Sequence, residues 1–221
     1  MKGSTWRRLV REHLLPYLGD WQLAGSIHVF GRVEWILHGV ALDTSGFSAT
    51  RITVWIFSQP LYVPSQNNSA DYGEQLRQAK TGLKWWDIEP GEEARHLHDM
   101  LGAIREQALP FYARTATPED LATYSEKRYK GSVNPPIIEA EAYSWALAGE
   151  DRKALEVLER LKRAVDAMPS NQPWGRPILE RSLLVRQALT EGVPAVLGLL
   201  RGWRDETVRD LRLEGLTEPW P

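Results

Sequence analysis

Five histidines and no cysteine set the bounds on the chemistry open to this chain. Without thiols there is no disulfide, no cysteine-ligated zinc, no iron–sulfur cluster and no thiol nucleophile. His96 and His98 stand two apart in a stretch of helical periodicity. Residues at that spacing point to different sides, so they do not form the i, i+4 pair that would share a metal. His28 and His38 fall on successive predicted strands and, under the expected turn, on opposite faces. His38, on an apolar strand face, and His13, on the apolar side of the first helix, read as neutral core histidines with backbone partners. Glu34 and Asp43 become candidates for a buried acid if a cleft forms over the sheet. Ser26, Ser45, Ser48 and Ser58 lack a G-x-S-x-G elbow, and neither a G-x-G-x-x-G nor a Walker A loop is present. A hydrolytic site needs nucleophile, base and orienter together. No such set emerges, so no catalytic, cofactor-binding or metal-ligating residue is assigned and no cofactor is expected.

Binding is the stronger expectation. The 27 basic and 29 acidic side chains give a formal charge of -2, which does not favour nucleic acid. Arg7, Arg8 and Arg11 give the first helix a positive side. Arg201, Arg204 and Arg209 do the same near the C-terminus, but Asp205, Glu206 and Asp210 offset them. No basic groove interleaved with aromatics is evident. The loop that invites a functional reading is Pro60-Leu61-Tyr62-Val63-Pro64, followed by Ser65-Gln66-Asn67-Asn68, with Trp85-Trp86 placed to lie nearby. Loops on rigid scaffolds carry function, and aromatic clusters anchor interfaces. Tyr62, Trp85, Trp86 and Trp145 are therefore the candidate partner-binding residues. The competing reading is that the prolines close an edge strand safely and the tryptophans are core.

The elements that must position these residues follow from periodicity. Apolar residues make up 43% and charged residues 25%, a globular balance able to bury a core. The N-terminus lacks the apolar segment of a signal peptide, and no apolar run approaches the ~18–20 residues of a membrane span. The expectation is a soluble, cytoplasmic protein with no membrane partner. A helix is predicted over 4–18, with Trp6, Leu9, Val10, His13, Leu14 and Tyr17 on one side. Strands follow at 21–30 and 33–42. The two-residue turn Gly31-Arg32 predicts a register in which paired positions sum to 63, with Glu34 on an apolar face near the turn. A third strand, 51–58, is interrupted at Gln59-Pro60, and Leu61-Tyr62-Val63 resumes as an edge strand. Residues 84–88 read as a short strand or docking loop. From 91 on the pattern is helical: 91–108, a helix capped by Thr117 with Pro118 and Asp120 behind it, then 136–148, 150–167, 177–190 and 193–213. The tail GLTEPWP reads as frayed or pinned only by Trp220. Strands followed by helices give an α+β fold: an N-terminal antiparallel β-meander flanked by helices, then a C-terminal all-helical bundle. The loop 131–136 suggests a division into 1–130 and 131–221.

Residues 149–161, GEDRKALEVLERL, resemble the second helix of a tetratricopeptide repeat. Ala154 is small where two helices cross, and Leu158 fills the groove one turn on. In the first helix Ala142 fits the pattern, Glu141 stands where the repeat has leucine, and the closing Pro169 comes late. The resemblance covers 138–169, with a fainter echo at 187–197, and a stable array normally needs three repeats. The N-terminal stretches WRRLVREHLLPYLGDWQLAG, VEWILHGVALDTSGF and VWIFSQPLYVPS resemble uncharacterised bacterial proteins. That resemblance implies a bacterial, cytosolic chain and no activity. The leading expectation is a non-catalytic protein-interaction module, an adaptor or immunity-type protein with a protein partner. The alternative is a hydrolase-type enzyme with a cleft between sheet and helices.

Overall fold

The computed structural model describes residues 8, 10–13, 15–17, 21–24, 28–30, 33–44, 50–69, 71–89, 91–169 and 172–217. The fold is α+β: an antiparallel sheet in the N-terminal half, then helices. Among the described residues six strands build the sheet: β1 (Gln22–Ala24), β2 (His28–Phe30), β3 (Ile36–Thr44), β4 (Arg51–Pro60), β5 (Gly73–Gln75) and β6 (Trp86–Asp87). Their order is β1-β2-β3-β4-β5, with β6 also paired to β4. The helices are α1 (Glu93–Ala103), which passes through a π-helical stretch (Ile104–Ala108) into α2 (Leu109–Ala113), then α3 (Pro118–Arg128), α4 (Pro135–Leu147), α5 (Asp151–Asp166), α6 (Gly175–Glu191) and α7 (Val193–Asp210).

The first hairpin differs from expectation. Residues 22–30 are not one strand. β1 and β2 pair antiparallel, Gln22 opposite Phe30 and Ala24 opposite His28. β2 then meets β3 with His28 opposite Ala41 and Phe30 opposite Gly39. The paired positions thus sum to 69, an even shift that keeps the alternation of faces. Val33 leaves the ladder and bridges in parallel to Thr217, its N–H donating to the Leu216 carbonyl at 3.1 Å. The chain end is therefore tied to the sheet through 216–217; Trp220 lies outside the described residues. In β4, Ile52, Val54 and Ile56 are buried in alternation, as a strand with one buried face requires. β4 runs on to Pro60 at its last position; it pairs with β6 at 51–52 and with β5 at 55–57, where every residue can donate. Leu61-Tyr62-Val63 is a buried turn closed by the Val63 N–H on the Pro60 carbonyl, not a resumed edge strand. Of the predicted first helix, Arg8 and 10–13 are helical, and Val10 is fully buried.

Two compact units result. The sheet unit comprises Met1–Gln59, Ser69–Ala113 and Gly215–Pro221; the helical unit comprises Pro60–Asn68 and Arg114–Glu214. In the sheet unit, Tyr112 of α2 donates to the Gly39 carbonyl of β3 at 2.8 Å and stacks on His38 with ring centroids 4.9 Å apart. In the helical unit α4 is central and packs against α3, α5, α6 and α7. Every residue from Ile137 to Ala146 is buried, so this helix reads apolar and small on all sides. The loop 131–136 joins α3 to α4 within this one unit. The cap of α3 is as expected: Thr117 Oγ1 accepts from the Asp120 N–H at 3.1 Å, and Asp120 Oδ2 accepts from the Thr117 N–H at 3.3 Å.

Candidate functional site

The four aromatic residues singled out from the sequence separate. Tyr62 and Trp145 belong to the helical unit, Trp85 and Trp86 to the sheet unit. Tyr62, Trp86 and Trp145 are buried, at 0%, 1% and 3% exposure, and offer a partner almost no surface. Trp85 is half-buried with the Arg51 guanidinium 5.2 Å above its ring centre, and Arg51 also forms a two-pronged bridge to Asp87. Trp145 carries the Lys153 ammonium 3.8 Å over its ring, a cation–π contact.

Tyr62 anchors the segment 60–68 in the helical unit. Its hydroxyl lies 2.6 Å from Ser144 Oγ, which in turn donates to the Ala140 carbonyl at 2.6 Å. Ser144 has one proton and gives it to that carbonyl, so Tyr62 is the donor between them. Burial pushes the Tyr62 phenol well above its ordinary value. The same helix buries two carboxylates. Glu139 is held in two-pronged fashion by Arg181, at 2.8 and 3.0 Å, and accepts from the Tyr143 hydroxyl at 2.9 Å. Glu141 meets Arg160 at 2.5 Å. Burial raises both carboxyl groups above the ordinary value, and their arginines pull them back only part of the way. Glu141, the departure from the tetratricopeptide pattern, is thus a buried ion-pair partner. Arg160 and Glu159 of α5 likewise pair across helices, with Glu141 and with Arg186. Periodicity cannot signal a buried acid; the cue was the placement of Glu139 and Glu141 inside an otherwise apolar, small-residue helix.

The sheet unit carries a cleft of about 510 Å³, within the range of small-molecule sites. The loop 78–81, β6 and α1 line it, with Trp86, Lys80, Arg95, His96, His98 and Asp99 among its side chains. His96 and His98 both line it, although two residues apart on one helix. Asp99 accepts from the Trp86 indole N–H at 2.8 Å. No group of three or more metal-ligating side chains occurs among the described residues. Such a cleft can hold a small polar molecule and offers imidazole for proton transfer. Glu34 and Asp43 are exposed, and the side chain of His28 lies outside the described residues.

The helical unit also presents an uncovered face. Leu183 and Leu184 on α6 are 63% and 49% exposed, beside exposed Arg176, Glu180, Gln187 and Glu191. No helix among the described residues is long and apolar enough to cross a membrane. In comparisons with protein-family models, curated proteins and solved structures, nothing matches this chain.

Proposed function

We propose that the chain is a cytoplasmic protein-interaction module of the adaptor or immunity type, without catalysis of its own, whose helical unit is the scaffold for a protein partner. One observation carries this reading. Of the nine large apolar side chains left exposed among the described residues, six lie on the helical unit: Val133, Leu155, Trp174, Leu183, Leu184 and Val193. Among them Leu183 and Leu184 are neighbours on α6, and contiguous exposed apolar side chains mark interaction surfaces. The packing of α4 on α5 and of α6 on α7, with fully buried alanines at 142 and 154, supports the likeness to paired tetratricopeptide hairpins. The bacterial origin implied by the N-terminal resemblance belongs to the same reading.

The test is a tagged full-chain capture from extract of the native host, read by mass spectrometry. The control is the Leu183→Glu/Leu184→Glu double variant, checked for wild-type circular dichroism. A stoichiometric protein retained by wild type and lost from the folded control is the expected result. Equal recovery on both overturns the assignment of the surface. The cleft beside α1 supports a second reading, a hydrolase-type enzyme in which His96 or His98 moves a proton. A small-molecule hit that raises the melting temperature favours it over the first.

A further inference from the structure

The exposed stripe of α6 is self-complementary. Residues 176, 180, 183, 184, 187 and 191 lie along one side of the helix, at spacings of four, three, one, three and four residues, and all six are exposed. The spacing is the same read in either direction, and the chemistry is complementary. Arg176 at one end is matched by Glu191 at the other, Glu180 by the amide of Gln187, and Leu183 by Leu184 at the centre. Lay a second α6 antiparallel across the first, with the two-fold axis between Leu183 and Leu184. Each Arg176 then faces a Glu191, each Glu180 faces a Gln187, and the four leucines meet at the axis. Within one chain the end charges already point along this stripe: Arg176 bonds Glu180 at 2.9 Å and Gln187 bonds Glu191 at 2.8 Å. Across the axis Arg176 would lie between two carboxylates and Glu191 between an amide and a guanidinium, so each charge gains a partner and loses none. The arginines that flank the stripe, Arg181 and Arg186, are committed to Glu139 and Glu159.

We propose that this face of α6 binds a second copy of the chain, forming an antiparallel two-fold dimer centred on Leu183 and Leu184. This rests on the reading of the helical unit as an interaction scaffold and names its partner at this face. A single helix pair buries less than the roughly 1,200 Å² of most stable interfaces, so the dimer is weak and concentration-dependent. Parallel packing would set Arg176 against Arg176 and Glu191 against Glu191; the charges select the antiparallel arrangement.

Sedimentation equilibrium of the full chain tests it over a wide concentration range. The weight-average mass is expected to rise toward twice the monomer value with concentration. Arg176→Glu should weaken association about tenfold, because two carboxylate pairs then oppose each other across the axis. Glu191→Arg should do the same, and the double reversal should restore most of the lost affinity. Leu183→Glu/Leu184→Glu should give monomer throughout. All of these side chains are exposed, and circular dichroism verifies that each variant is folded. A wild type that stays monomeric overturns the dimer, as does a dimer that the single reversals leave unchanged or the double reversal fails to rescue. A monomer that still captures a stoichiometric host protein overturns only the dimer; a monomer that captures nothing overturns the interaction-module reading too.

Discussion

Glu139 is a buried acid on the central helix of the helical unit. It is 1% exposed, and its charge is met by Arg181 and the Tyr143 hydroxyl. Burial nonetheless leaves its carboxyl raised from the ordinary 4.5, with Arg181 offsetting part of the effect. In the native state the proton is held more tightly than in the unfolded chain. The associated stability is therefore full below about pH 4.5 and declines as pH rises through the native value. Wild type should lose stability relative to Glu139→Gln across that rise, measured by urea denaturation at a series of pH values. A parallel pair of curves would refute it. Arg181→Ala should steepen the loss and cost about 3–5 kcal/mol at neutral pH, since it leaves a buried charge without its partner.

Among the elements, the α4–α5 hairpin shows most directly how local sequence makes a turn. α4 ends at Leu147, and the chain reverses through Gly149 at φ +76°, in the left-handed region that favours glycine. A Cβ added there meets nothing within 4 Å, so the cost of replacement is in the backbone alone. Gly149→Ala is expected to lower stability by about 1 kcal/mol, and Gly149→Asn by less, because asparagine tolerates this conformation. Chemical denaturation of the two variants checks the order; equal losses would point to packing instead of backbone conformation.

For the molecule as a whole, the helical unit is built from two separated parts of the chain. Its core takes Leu61 and Tyr62, both fully buried, from the connection between β4 and β5. A fragment of residues 114–214 lacks them and should melt below the intact chain. A synthetic peptide of residues 60–68 should raise the fragment's melting temperature by mass action, and the same peptide carrying Tyr62→Ala should not. In the intact chain Tyr62→Ala is expected to cost about 3–5 kcal/mol, the range for emptying a buried aromatic site. No response to the wild-type peptide would show that the segment is held only by its covalent ends.

What the sequence determined by itself is what short-range spacing controls. The α+β order, the capping box at Thr117 and Asp120, the Gly149 turn and the helical spans after residue 117 all follow from 3.6-residue periodicity and terminal signals. Tertiary structure decided which surfaces met. The pairing of β1 with β2 and of Val33 with Thr217 depends on strands choosing among partners, where register carries little local signal. Tyr62, Trp86 and Trp145 went inside because aromatic side chains suit a core and an interface equally well, and only the neighbours decide between them. His96 and His98 line one cleft with the loop 78–81 and β6, a juxtaposition no helical spacing encodes. The exposed stripe of α6 is the reverse case. Its order of charges is written in the sequence, but the structure supplies its meaning by burying the other sides of the helix and leaving Leu183 and Leu184 in water.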